Sequence, residues 1–269
     1  MTRFIVVPQW QGSGAARAML LVDGATAIEG DLPRAACTRI DVPVEAGEGL
    51  GTGVRRLSAL EHTRRLLEAE LARSDETALV IGGDCGVAVP AVAHAAARHP
   101  RLALVWCDAH GDLHTPQSSP SGAFGGMALR AALGDGEASV AGVRIDPTRA
   151  VLVGARDLES AEEDYIATSG VQRVFAEDLS DENVLANAVG DADAVYVHVD
   201  LDVLDPTELS GVSMPIPFGA RVAALTASLA ALRARTPLVG ASIAGFAPAS
   251  PTAAVDDLGA ILRIVGALA

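Results

Sequence analysis

Aromatic residues are scarce in this chain: two Trp, two Tyr and five Phe make up 3% of its 269 residues. Half of the residues are hydrophobic, so a sizeable core is within reach, but Ala, Val and Leu must fill it. Cysteine is nearly absent. Cys37, Cys85 and Cys107 are an odd number at irregular spacing, which excludes a disulfide framework and points to a reducing, cytoplasmic setting. Basic residues are outnumbered, 20 Lys and Arg against 34 Asp and Glu, for a net charge of −14. That balance excludes the basic face a nucleic-acid surface needs and any polybasic membrane signal. No apolar stretch reaches membrane-spanning length without a charge or a proline. The run Phe4-Ile5-Val6-Val7, stopped by Pro8, is too short for the core of a signal peptide.

What remains is a chain in which apolar strands and helical stretches alternate. Strands are expected at Phe4 to Val7, Arg39 to Val42, Ala78 to Ile81, Leu102 to Cys107, Ala150 to Val153, Val171 to Phe175, Ala194 to Val199 and Leu238 to Ile243. Helices are expected over Ala15 to Leu21, Leu57 to Ala72, an alanine-rich stretch to about Arg98, Met127 to Leu133, Val222 to Arg235 and Asp257 to Leu268. In the second of these Leu60, Leu67 and Leu71 form one apolar stripe; Glu68 and Glu70 read as acids that solvate the helix. The Gly-rich run Gly47 to Gly53 lacks the Lys-Ser/Thr ending of a phosphate-binding loop and reads as a flexible connection. The length suits one large domain or two ordinary ones. There is no internal repeat or convincing linker, so a single domain over residues 1–269 is expected. The alternation favours a mostly parallel sheet with helices on both faces.

In such sheets ligands gather beyond the carboxyl ends of the strands, and the chemistry-bearing residues cluster there. Asp108, His110 and Asp112, with His114 two further on, follow the strand ending at Cys107. Asp200 and Asp202 follow the strand ending at Val199, and Cys85 follows the strand ending at Ile81. Carboxylates and an imidazole packed so closely repel, or are badly desolvated, unless a cation sits among them. Oxygen-rich ligation with an imidazole suits manganese, among other hard or borderline ions. Two such ions lower the pKa of a shared water, so no Ser or Cys nucleophile is required.

The segments Gly82-Gly83-Asp84-Cys85, Asp108-Ala109-His110-Gly111-Asp112 and Asp200-Leu201-Asp202-Val203-Leu204-Asp205-Pro206 resemble, in order and spacing, the three signature motifs of the ureohydrolases: arginases, agmatinases and formimidoylglutamases. The resemblance implies a three-layer α/β/α fold with two Mn2+ ions per chain. It implies hydrolysis of a guanidino or amidino carbon–nitrogen bond in a small molecule, and a homo-oligomer, trimer or hexamer. Position by position, Asp108 and Asp200 match carboxylates that bridge the ions, Asp112 a ligand of the first ion, and His110 and Asp202 ligands of the second. Cys85 falls where the family usually has a histidine on the first ion. Ser121, Glu159 and Glu162 fall near positions that contact substrate in arginases, and Asp205-Pro206 shapes a turn.

Three positions depart from the pattern. Gly125 stands where arginases have a histidine used in proton transfer. Gly245 stands where the family usually has a glutamate that holds the guanidinium. His114 stands where arginases tend to have asparagine, and together with Asp112 it is the expected catalytic pair; His198 is a second candidate for proton transfer. Weak or absent hydrolysis of arginine is therefore expected. Two other readings stay open, a hydrolase of a non-guanidinium substrate and a metal-binding homologue that has lost catalysis. Several of these residues also have plain structural alternatives. Cys85 could be a small buried side chain, His198 a core hydrogen-bonding group, His114 part of a loop surface, and Glu159 and Glu162 helix-start acids favoured by the dipole.

Overall fold

The computed structural model describes residues 2–269. Eight strands join one sheet: β1 (Arg3–Val7), β2 (Cys37–Arg39), β3 (Ala78–Gly82), β4 (Leu102–Cys107), β5 (Ala150–Val153), β6 (Gln172–Val174), β7 (Ala194–Asp200) and β8 (Leu238–Ala244). Their spatial order is β2-β1-β3-β8-β7-β4-β5-β6, and every pair is parallel. A parallel sheet is covered on both faces, so its strands are continuous apolar runs; every residue of β3, β4, β5 and β7 is buried.

The alternation of side chains along each strand divides the core in two. Phe4 and Val6 of β1, with Val105 of β4 and Val197 of β7, pack under α1 (Leu20–Gly30), α6 (Val184–Ala188), α7 (Val222–Arg235) and α8 (Pro251–Leu268). Ile5, Val7, Leu104 and Trp106 face the other way, toward α2 (Leu57–Leu71), α3 (Ala88–Arg98), α4 (Ala128–Ala132) and α5 (Ser160–Ser169). The result is the expected three-layer α/β/α architecture. Burying each Val, Leu or Ile contributes roughly 1.5–3 kcal/mol, which is how a core with few aromatics is held. No helix among the described residues is long and apolar enough to cross a membrane.

Four expectations are corrected. The first helix runs over Leu20–Gly30, while residues 15–19 form turns. Its buried stripe of Leu21, Ala25 and Ile28 is interrupted by Gly24, which is there because a Cβ would stand 2.0 Å from the Phe246 carbonyl oxygen. β2 lies at Cys37–Arg39, not 39–42, because that register pairs Phe4 with Cys37 and Val6 with Arg39. α8 begins at Pro251, six residues early, where the Ser250 hydroxyl accepts from the Ala253 N–H and proline occupies the first turn as its fixed φ allows. Glu70 is buried, not solvating: it pairs with Arg3 at 3.5 Å and Arg73 at 3.1 Å.

Candidate metal centre

The four central strands β3, β8, β7 and β4 bring their carboxyl ends to one cavity of about 350 Å³. The residues singled out from the sequence line it, apart from His198: Cys85, Asp108, His110, Asp112, His114, Ser121, Glu159, Glu162, Asp200 and Asp202, with Gly125 and Gly245. Ser121 and Glu159 are at the exposed rim, whereas Glu162 is buried.

Each central acid uses one oxygen to fold its own loop and turns the other inward. Asp108 Oδ1 accepts from the His110 N–H at 2.8 Å, Asp200 Oδ1 from the Asp202 N–H at 2.9 Å, and Asp202 Oδ1 from the Ala109 N–H at 3.0 Å. The last of these ties the loop after β7 to the loop after β4. Asp202 Oδ2 then lies 3.0 Å from His110 Nδ1, and Asp108 Oδ1 lies 3.3 Å from it. On the other side the Cys85 thiol donates to Asp200 Oδ2 at 2.8 Å, and its sulfur is 3.9 Å from Asp108 Oδ2.

The electrostatics are those of anions crowded out of water. Burial and the neighbouring Asp202 push Asp200 up to about 7. Burial and the other acids raise Asp112 well above the carboxylate range, and burial also raises Asp108 and Asp202. Burial opposes a charge on His110, but its hydrogen bonds to Asp108 and Asp202 prevail and its pKa is pushed up to about 12. The imidazolium thus serves as the cation between two carboxylates, a position a divalent ion would take with release of the proton. Burial and the surrounding Asp200, Asp112 and Asp108 raise the Cys85 thiol.

Polar atoms left without partners point the same way. His110 Nε2, Asp112 Oδ2, His114 Nε2 and His198 Nε2 are all buried with no hydrogen bond. Unpaired buried groups are costly and need an explanation, and ions among these acids supply one. Two sets of donor atoms lie within 4.8 Å of one another: Asp108, His110 and Asp202, and Cys85, Asp108 and His198. Asp112 adds a backbone held in the left-handed region, φ 52°, a conformation that an aspartate adopts only when its surroundings enforce it.

The supporting residues were less visible in the sequence. Asp84 accepts hydrogen bonds from Gln9 Nε2, the Gly12 N–H and the Gly86 N–H, each at 2.9 Å, and so fastens the loop after β1 to the turn that carries Cys85. Burial raises its carboxyl to about 6 even so. Glu162 closes a capping box with Glu159 at the start of α5 and also accepts from the Leu113 N–H at 3.0 Å. The helix-start reading of these two acids therefore holds, and Glu162 steadies the Asp112 loop as well. Arg156 donates to the carbonyls of Asp202, Val203 and Leu204 and anchors the turn after β7. Asp205 shapes that turn as expected, accepting from Thr207 and from the Gly219 N–H. His114 Nε2 comes 3.4 Å from Glu159 Oε2, so His114 faces the pocket and not the loop surface.

The model of the arginase family matches residues 26–263. The chain belongs to the arginase family. An arginase of Bacillus caldovelox is 31% identical over 195 residues, a match covering 65% of this chain and 65% of that protein, so the chain spans a little under two thirds of that relative's length. The N(omega)-hydroxy-L-arginine amidinohydrolase of Streptomyces lavendulae is 32% identical over 197 residues, covering 73% of this chain and 70% of that protein. Among solved structures, Entamoeba histolytica arginase in complex with L-ornithine superposes with a TM-score of 0.87 at 23% identity, over 99% of this chain and 97% of that one; it shares the fold. Within the family frame Gly125 and Gly245 stand out. At Gly245 the φ is +87° and a Cβ would meet Asp200 Oδ1 at 2.2 Å, whereas at Gly125 the nearest atom is the Gly12 carbonyl oxygen at 3.4 Å.

Proposed function

We propose that this arginase-family chain is a metal-dependent hydrolase that cleaves a carbon–nitrogen bond in a small molecule with a guanidino, amidino or related carbon. The observation that carries this is the crowding of Asp108, His110, Asp112, Asp200 and Asp202 in one pocket, where the acids are raised in pKa and His110 Nε2 and Asp112 Oδ2 are left unpaired. The donors would hold a pair of divalent ions, with His110 and Asp202 serving one, Asp112 and Cys85 the other, and Asp108 and Asp200 available to both. Manganese suits the oxygen-rich second position. When bound, such ions activate water near neutral pH and stabilise charge on the carbon under attack.

The remaining work falls to the chain's own side chains. Asp112 lies beside the buried acids and is the group to hold a proton during turnover. His114, whose Nδ1 is 3.0 Å from Ser118 Oγ, has its Nε2 directed into the pocket and is placed to pass a proton to the departing amine. Asp157, Glu159 and Glu162 make the outer pocket acidic, and no Arg or Lys among the described residues lines it; a cationic substrate end is favoured there. Ser121 at the rim offers a hydroxyl to the same end. The family's trimers or hexamers and a cytoplasmic setting complete the reading.

The glycines argue against arginine itself. A hydrogen bond to a charged group contributes about 1.5–3 kcal/mol, so lacking the guanidinium-facing glutamate costs roughly one to two powers of ten in rate. Absence of the proton-transfer histidine removes about 10²–10⁴ more, though the two need not add. A second reading, favoured by the absence of a carboxylate at Gly245, is a bulkier or neutral substrate.

The test is release of urea, ammonia or amine by metal-loaded protein across guanidino, amidino and amide compounds. Turnover of a guanidino or amidino compound other than arginine is expected. Turnover confined to amides would favour the second reading. Tight metal binding without turnover of any compound would refute the enzyme and leave a metal-binding homologue.

A further inference from the structure

Cys85 alone does not explain the first ion position. The thiol is shorter than the histidine of the family motif, and it reaches only Asp200 and the edge of Asp108. A second donor stands opposite. His198 precedes Asp200 by two residues on β7 and so shares its face. It is completely buried. The strand register sets Trp106 of β4 and Ser242 of β8 on either side of it. The Trp106 ring packs against the imidazole at 3.9 Å between centroids, and Ser242 Oγ lies 2.8 Å from Nδ1. With Nδ1–H donating to that hydroxyl, the lone pair is left on Nε2, which has no partner. A ring nitrogen of His198, the Cys85 sulfur and a carboxylate oxygen of Asp108 lie within 4.8 Å of one another.

His198 thus serves the core through Nδ1 and leaves Nε2 free to ligate. A hydrogen bond at the second ring nitrogen fixes the tautomer and orientation of ligating imidazoles, and here Ser242 supplies it. Resting on the reading of a two-ion hydrolase, we infer that His198 joins Cys85 and Asp108 around the first ion and replaces, from β7, the histidine absent at position 85. The first ion is then held by sulfur, nitrogen and oxygen. Such a set prefers zinc or cobalt to manganese, which binds soft ligands poorly and stands lowest in the divalent series. The second position keeps Asp108, His110 and Asp202 and suits manganese. The centre is mixed, with the thiol proton of Cys85 released to solvent as the first ion enters.

The experiment uses the full chain, stripped of metal, given one equivalent of zinc and then excess manganese, since zinc in excess would outbind manganese at either position. After desalting, elemental analysis is expected to find both metals retained. X-ray absorption at the zinc edge is expected to show one sulfur at about 2.3 Å together with imidazole scattering. The same spectrum is taken from His110→Asn, in which an imidazole signal that persists is assigned to His198. Cobalt in place of zinc is expected to give a thiolate charge-transfer band in the near ultraviolet, which Cys85→Ser removes. His198→Gln is expected to weaken zinc binding by at least about 10-fold. Two manganese ions with no zinc would overturn the inference and leave the two-ion hydrolase standing, and so would a zinc edge showing sulfur without imidazole. Failure to retain any metal would overturn both. The wild-type spectra decide the matter even if His198→Gln does not fold.

Discussion

A Cβ added at Gly245 would stand 2.2 Å from Asp200 Oδ1. The backbone there has turned into the left-handed region, φ +87°, and passes directly over the carboxylate. The position is therefore closed to a residue with a Cβ unless the Asp200 side chain shifts. Left-handed backbone costs a non-glycine residue roughly 1–2 kcal/mol, and displacing Asp200 adds to that. Gly245→Ala is expected to lower the unfolding free energy by at least this amount in urea titrations and to reduce bound metal. Gly125→Ala, at an ordinary φ and with its nearest neighbour at van der Waals distance, is expected to stay within about 1 kcal/mol of the parent.

Divalent ions should stabilise the protein strongly, because Asp108, Asp112, Asp200 and Asp202 are buried together with His110 as the cation among them. An ion that binds only the folded state contributes about 2.7 kcal/mol at a hundredfold excess over its dissociation constant. Removal of metal with a chelator is expected to lower the melting temperature, and manganese or zinc to restore it. Asp200→Ala should blunt that recovery and cut the metal content, since its carboxylate faces both positions. An unchanged melting curve on metal addition would count against the whole site.

Glu162 performs two tasks with one carboxylate, accepting from the Glu159 N–H through Oε2 and from the Leu113 N–H through Oε1, each at 3.0 Å. Loss of a helix cap costs typically about 1 kcal/mol, and stranding the buried Leu113 N–H costs about 1–3 kcal/mol more. Glu162→Ala is expected to show both losses in chemical denaturation, while Glu162→Gln retains an acceptor for one of the two bonds and loses less. Equal losses in the two variants would mean that charge, not hydrogen bonding, holds the loop.

Asp205 gives a pH-dependent check on the turn after β7. Hydrogen bonds from the Thr207 hydroxyl and backbone, with the Gly219 N–H, hold its carboxyl below the ordinary range. A group depressed on folding contributes stability above its unfolded pKa, about 3.9 for Asp, and loses it as pH falls through the folded value. Asp205→Asn is therefore expected to melt below the parent at pH near 7, with the gap closing toward pH near 3. A gap that widens in acid would reverse the assignment.

The strands were legible because a sheet covered on both faces demands unbroken apolar runs, and β4 and β7 supply them up to the acids. The spacing of Asp108, His110 and Asp112, and of Asp200 and Asp202, was legible for the same reason: it is local. The role of Asp84 was not, since its partners Gln9 and Gly12 lie 75 and 72 residues away in the chain. β2 misled because a three-residue edge strand is placed by its neighbour rather than by its own pattern. His198 was readable as a core hydrogen-bonding residue, and it is one through Nδ1; only the fold shows that its other nitrogen has no such role.

β8 is the last strand of the chain, yet it lies in the middle of the sheet, between β3 and β7. On one side of it are β2, β1 and β3, with Cys85 on the turn that follows; on the other are β7, β4, β5 and β6, with the acids. Until residues 238–244 insert, these are two part-sheets, each with an open edge, and the sulfur and carboxylates belong to different bodies. Joining strands so distant in sequence is slow, because the loop-closure entropy precedes the reward of contact. A ribosome must therefore release residues 238–244 before the two halves can lock. Metal capture is expected to follow that step, and chains cut short of β8 are expected to expose sticky edges and hold no ion.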